Sequence, residues 1–275
     1  METTIFIDIH GEMQPIDTTQ MCIGQSPTRL IICVPGKNGV KESFHQLMHD
    51  LETRNLESEV LVVTYSLFGK HGSGGHLDHE SIQKQSMVLE KVIQYFRNDS
   101  ITTVDIIAHS MGSVIASKMA SQNVHKIVFL TPMFAMKGIY AWIPLLFFVW
   151  LKWLGALFPL ALRPYGDAML NTSCLERRKR IAKTRGQETH SLYDSADALV
   201  EASRFLDTER VTHPCLVITA GQDNTVCNQG AEEFCSRYPE TRRYLCIPQA
   251  RHSIHNETTA LRMQVVEAIC QYLNL

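Results

Sequence analysis

Apolar residues fall into two kinds of run that alternate along the chain. Short continuous runs recur at 29–34, 59–65, 104–108, 125–130, 215–220 and 243–247. Runs of that length, bounded by turn-forming residues, predict strands buried on both faces of a parallel sheet. Between them lie longer segments whose apolar residues stand three and four apart. Phe44, Leu47, Met48 and Leu51 mark 43–54, and Ile82, Val88, Leu89, Val92, Ile93 and Phe96 mark 81–97. This spacing predicts amphipathic helices. Further helices are expected over 111–120, 229–238 and 258–273. At the start, 3–9 alternates as a strand does, with 13–16 as its pairing partner. Strands alternating with helices imply an α/β fold, with a mostly parallel central sheet flanked by helices.

The alternation stops after Thr131-Pro132. Residues 133–206 contain no convincing strand, and regular alternation resumes near 215. The expected organisation is a core of 1–132 and 207–275 with an all-helical cap, 133–206, inserted. The cap opens on a very apolar stretch, 139–162, long enough to span a bilayer. That stretch also holds Pro144, Lys152, Gly155 and Pro159. A crossing there would divide the sheet between two compartments, so no membrane span is expected. Trp142, Phe147, Phe148, Trp150, Trp153 and Phe158 are bulky and amphipathic enough to meet a lipid interface. The charged run 176–180 could add attraction to anionic head groups, although such runs are ordinarily solvated.

Composition narrows the function classes. The chain has 275 residues and a formal net charge of −2, which removes any electrostatic case for nucleic-acid binding. A hydrophobic fraction of 45 % supports a sizeable core and argues against disorder. The eight cysteines form no CxxC pair, and Cys33, Cys215 and Cys246 sit in strand-like runs. They read as small buried hydrophobes in a reducing compartment. The first residues carry an early acid and no apolar core, so no signal peptide is expected and the location is expected to be cytoplasmic. His71, His76 and His79 in the loop 68–79 are irregularly spaced without clustered carboxylates, so no metal site is expected. No cofactor is implied.

Chemistry concentrates at Ala108-His109-Ser110-Met111-Gly112. A strand runs into it and a helix of small and apolar residues leaves it. A serine on such a turn has its hydroxyl pushed clear of the backbone, and the amide after it lies at a helix N-terminus. The usual pattern is Gly-x-Ser-x-Gly, and Ala108 replaces the first glycine.

Together with Gly221-Gln222-Asp223 after a strand, and Ala250-Arg251-His252-Ser253 after the last strand, this stretch resembles the α/β-hydrolase superfamily. The resemblance covers the chain from residue 29 to its end. The run 250–257 is similar to the monoacylglycerol lipase and lysophospholipase group of serine hydrolases. Two departures stand out: Pro35-Gly36 occupies a place where relatives often carry His-Gly, and 69–74 only partly matches the glycine-rich loop common among them.

The resemblance implies a chain order of serine, acid, histidine. Ser110 would be the nucleophile, His252 the base and Asp223 the residue that orients the imidazole. His255, one helical turn on, competes for the base, and Asp194, Asp197 and Asp207 compete less well for the acid. Backbone donors for an oxyanion would be the amides of Met111 and, by position, Lys37. Phe147, Phe148 and Trp150 in the cap are candidates to line a substrate site. The implied activity is hydrolysis of a single-acyl lipid ester, a monoacylglycerol or lysophospholipid, with peripheral membrane contact through the cap. The alternatives are a short-ester carboxylesterase or thioesterase, a proline-type aminopeptidase, and a non-catalytic binder of a small hydrophobic ligand. The oligomeric state is open.

Overall fold

The structure, a computed structural model, describes residues 1–37, 39–54, 56, 59–70, 72–75, 81–119, 124–137, 145–157, 161–162, 172–174 and 190–275. His71, His76, His79, Trp142, Pro144, Phe158, Pro159 and the charged run 176–180 lie outside the described residues.

The chain opens with a hairpin, β1 (Glu2–Ile9) and β2 (Glu12–Ile23). Its two turn residues, His10 and Gly11, take φ of 56° and 85°, as a tight hairpin turn requires. Strands β3 (Arg29–Val34), β4 (Val60–Tyr65), β5 (Thr103–His109), β6 (Lys126–Leu130), β9 (Cys215–Ala220) and β10 (Arg242–Ile247) complete one sheet. Its order is β1-β2-β4-β3-β5-β6-β9-β10. The six strands from β4 to β10 are parallel, and β2 joins β4 antiparallel.

Side-chain alternation along the central strands feeds two cores. Leu30, Ile32 and Val34 of β3 enter one cluster, and Ile31 and Cys33 enter the other. The first is covered by α2 (Ile82–Phe96), α3 (Met111–Ser117), part of α5 (Leu192–Thr208) and α6 (Asn228–Ser236). The second is covered by α1 (His45–Glu52) and α7 (Thr259–Leu273). A strand buried on both faces needs apolar residues at consecutive positions, hence the unbroken Leu-Ile-Ile-Cys-Val run. Ser81 caps α2 by accepting the Lys84 amide at 3.2 Å.

Between β6 and β9 the described residues form α4 (Leu145–Leu157), then β7 (Ala161–Leu162) paired antiparallel with β8 (His190–Ser191), then α5. The two-residue ladder differs from the all-helical expectation; so short a pair leaves no period in the sequence. Helix α5 also runs past residue 206, and its Ala198, Ala202 and Phe205 join the first core cluster. Among the described residues no helix is long and apolar enough to cross a membrane.

Candidate active site

The parallel strands point their carboxyl ends the same way, and Ser110, Asp223 and His252 follow β5, β9 and β10. Open α/β sheets place ligands outside that edge. Ser110 stands between β5 and α3 at φ 52°, ψ −121°. A non-glycine residue at positive φ is strained, which turns the chain sharply and lifts the side chain out of the strand–helix joint. The close packing of that joint explains its small residues. A Cβ on Gly112 would fall 2.5 Å from the Val34 carbonyl oxygen and 2.6 Å from that of Pro35. Ala108 is fully buried in the first core cluster, so the methyl that departs from the usual glycine has a place to pack.

The three side chains form one hydrogen-bonded line. His252 Nε2 lies 2.9 Å from Ser110 Oγ, and its Nδ1 lies 2.8 Å from Asp223 Oδ2. Burial pushes the Asp223 carboxyl up. The His252 charge and hydrogen bond, with the amides of Thr225 and Val226, outweigh burial and leave it below its ordinary value. Those amides donate to Oδ1 at 2.7 and 3.0 Å. An ionised carboxylate only accepts, so Nδ1 carries the proton facing it; whenever the ring is uncharged, Nε2 is then the nitrogen that accepts from the serine hydroxyl. All three side chains are nearly excluded from water: Ser110 is 6 % exposed, Asp223 1 % and His252 5 %. The geometry is that of a serine primed by a base, with the base oriented by an acid.

Two of the competitors are occupied elsewhere. His255 is stacked on Phe44, ring centroids 4.6 Å apart. Asp197 accepts the Ile82 amide at 2.7 Å and pairs with Lys152, tying α5 to α2 and α4. Asp207 is exposed, and the side chain of Asp194 lies outside the described ones. Met111 opens α3 directly after Ser110. The loop after β3 rests on the same joint, because a Cβ on Gly36 would meet Ser110 Cβ at 3.0 Å. Its next residue, Lys37, donates from Nζ to Ser195 Oγ of α5 at 2.8 Å.

Phe147 and Trp150 are 44 % and 52 % exposed, whereas Phe148 is 1 % exposed. Among the described residues, no group of three or more His, Cys, Asp or Glu is placed to hold a metal ion. Sequence reasoning gave no role to Thr131 or His109, both of which hydrogen-bond the backbone of His252. For His109 the only signal was its place inside the serine turn, and for Thr131 its place at the end of a strand.

A family model, Hydrolase_4, described as serine aminopeptidase S33, matches residues 25–259. No curated protein matches the chain in sequence. The fold is similar to a soluble variant of monoglyceride lipase from Saccharomyces cerevisiae, solved with a substrate analog. The TM-score is 0.81 at 14 % identity, covering 100 % of this chain and 96 % of that one. Monoacylglycerol lipase from Paleococcus ferrophilus gives a TM-score of 0.76 at 17 % identity, covering 93 % and 98 %. A thioesterase domain from the curacin biosynthetic pathway gives 0.68 at 13 % identity, covering 98 % of each chain.

Proposed function

The chain belongs to the Hydrolase_4 family of α/β-hydrolases, and from that premise we propose that it is a serine hydrolase of single-acyl lipid esters. The observation that carries the proposal is the unbroken line from Asp223 through His252 to Ser110 at the carboxyl edge of the sheet. Ser110 Oγ attacks the acyl carbonyl while His252 Nε2 takes its proton. The carbonyl oxygen becomes an oxyanion, received by the amides of Met111 and Lys37. Collapse expels the alcohol, which takes the proton back from His252. Water, deprotonated by the same nitrogen, then attacks the acyl carbon, and the acyl–oxygen bond breaks as His252 returns that proton to Ser110 Oγ, releasing the fatty acid. Asp223 stabilises the imidazolium at both steps and keeps its ring in register.

The lipid part of the reading rests on the cap, taken as 133–206. Leu146, Phe147, Val149, Trp150, Trp153 and Leu157 of α4 are all exposed. Leaving that much apolar surface in water is costly, at roughly 25 cal/mol per Å². A helix that buries one ring, Phe148, and turns the others outward suits peripheral contact with an aggregated lipid. At 13 residues it is shorter than the roughly 20 a span needs.

The family description favours an aminopeptidase as the second reading. Such an enzyme must hold the ammonium of its substrate with an acid. Two buried acids beside the site are already committed. Asp223 serves His252 and two amides, and Glu257 accepts the amides of Arg251, Ser173 and Thr258. A panel of monoacylglycerols, lysophospholipids, acyl thioesters, short esters and prolyl amides tests the assignment. Turnover is expected to be greatest on the single-acyl lipids. Preferential cleavage of prolyl amides would transfer the assignment to the aminopeptidase.

A further inference from the structure

We propose that His109 and Thr131 are positioning residues that clamp the backbone carbonyl of His252 and thereby fix the reach of its imidazole to Ser110. The inference rests on the serine-hydrolase reading and adds two residues to it. Both donors converge on one oxygen: Thr131 Oγ1 at 2.7 Å and His109 Nε2 at 3.0 Å. A carbonyl oxygen has two lone pairs, so both are filled. Thr131 is fully buried and His109 is 9 % exposed, and each of their bonds to this oxygen is therefore shielded from water.

The two donors belong to the framework that holds the serine. His109 is the residue before Ser110. Thr131 follows Leu130, whose carbonyl accepts the Ser110 amide at 3.0 Å. The Thr131 amide itself donates to the Ile218 carbonyl of β9 at 2.7 Å. The loop that carries the base is thus fastened to the ends of β5 and β6, from which the serine is also hung. With the peptide plane of His252 held, its Cα–Cβ bond has a fixed direction and Nε2 stays at hydrogen-bonding distance from Oγ.

Thr131 takes φ 40°, a left-handed conformation that a β-branched residue rarely adopts. Strain of this kind persists where surrounding contacts over-determine it, and here the strained residue delivers its hydroxyl to the base loop. Burial, followed by the neighbouring His252 charge, holds the His109 ring down to about 3. It is therefore neutral at working pH and has a single N–H, which must lie on Nε2 because a carbonyl only accepts. His109 packs 5.0 Å from the His252 ring and edge-on to His255 at 4.5 Å, which in turn stacks on Phe44.

The test uses the full chain and counts active sites by titration with a fluorophosphonate, so that unfolded protein is not scored. Thr131→Val removes the hydroxyl and keeps the shape; Thr131→Ser keeps the hydroxyl. Thr131→Gly removes the hydroxyl and relieves the φ strain, and His109→Phe removes the other donor. On a soluble short ester, Thr131→Val, Thr131→Gly and His109→Phe are expected to lose about 10-fold to 100-fold in kcat per titrated site, with KM nearly kept. Thr131→Ser is expected to stay within about 3-fold of wild type, since it keeps the donor. Wild-type kcat per site in Thr131→Val and Thr131→Gly, whatever their melting temperatures, would overturn the clamp and leave the serine-hydrolase reading standing. Turnover retained in Ser110→Ala would remove that reading, and the clamp with it.

Discussion

At the scale of single residues, the site divides labour among groups that one substitution each can separate. Ser110→Ala removes the attacking oxygen and leaves the packed backbone of the strand–helix turn as it is, so turnover should fall about 10³-fold or more with little change in melting temperature. Asp223→Asn leaves the shape but presents an amide to Nδ1, favours the wrong tautomer, and should cost about 10⁴-fold in kcat. His255→Ala should instead lower stability more than turnover per active site, because its ring is packed on Phe44 and His109. Much of this was legible from the sequence: a serine between a strand and a small-residue helix, then an acid and a histidine at later strand ends. Thr131 and His109 were not legible. Their role depends on a carbonyl 121 and 143 residues further along the chain, and no local pattern announces a side chain that bonds to distant backbone. Ala108 is fully buried where the usual pattern has glycine, and the tight approach in this turn falls instead on Gly112.

At the scale of elements, hydrophobic period located the core. The run 29–34 is strand β3 to the residue, and the period of 81–97 is helix α2 with Ser81 as its cap. Strand β2 was underestimated: it continues to Ile23 because it pairs with β1 and then with β4, and its mixed pattern has no clean period of two. Between β6 and β9 the spacing is least informative, since a two-residue ladder and a helix that runs on past residue 206 leave no signature in it. Helix α4 makes a sharp prediction. Phe148 is buried while Phe147, Trp150 and Trp153 are exposed. Phe148→Ala should destabilise the protein by about 3–5 kcal/mol. Serine at Phe147, Trp150 and Trp153 together should leave the melting temperature within a few degrees. The same triple substitution should abolish sedimentation with phosphatidylcholine vesicles and reduce turnover of long-chain monoacylglycerol more than of a soluble ester. Equal loss on both substrates, with a large fall in melting temperature, would mean that these rings fill a core.

At the scale of the whole molecule, the sheet brings together residues separated by more than a hundred positions, and the pH response follows from what it assembles. The base works only as neutral imidazole, which acid removes. kcat/KM should therefore rise from acidic to neutral pH and stay high into the mildly alkaline range. The carboxyl of Asp223 is held below its ordinary value, and a carboxyl bound more weakly to its proton in the folded state favours folding above the unfolded value, about 3.9. That contribution disappears as pH falls through the folded value, so Asp223→Asn should flatten the acid side of the stability curve. A maximum of kcat/KM at acidic pH would contradict the mechanism.

The central claim is that Ser110 is the nucleophile, and a fluorophosphonate reports it directly because an activated serine oxygen displaces its fluoride and stays covalently attached to phosphorus. Intact-mass and peptide mass spectrometry of the labelled protein should find one adduct per chain, on Ser110. Labelling should be lost in Ser110→Ala and strongly slowed in His252→Ala. Stoichiometric labelling of a different residue, or undiminished labelling and ester turnover in Ser110→Ala, would contradict the account.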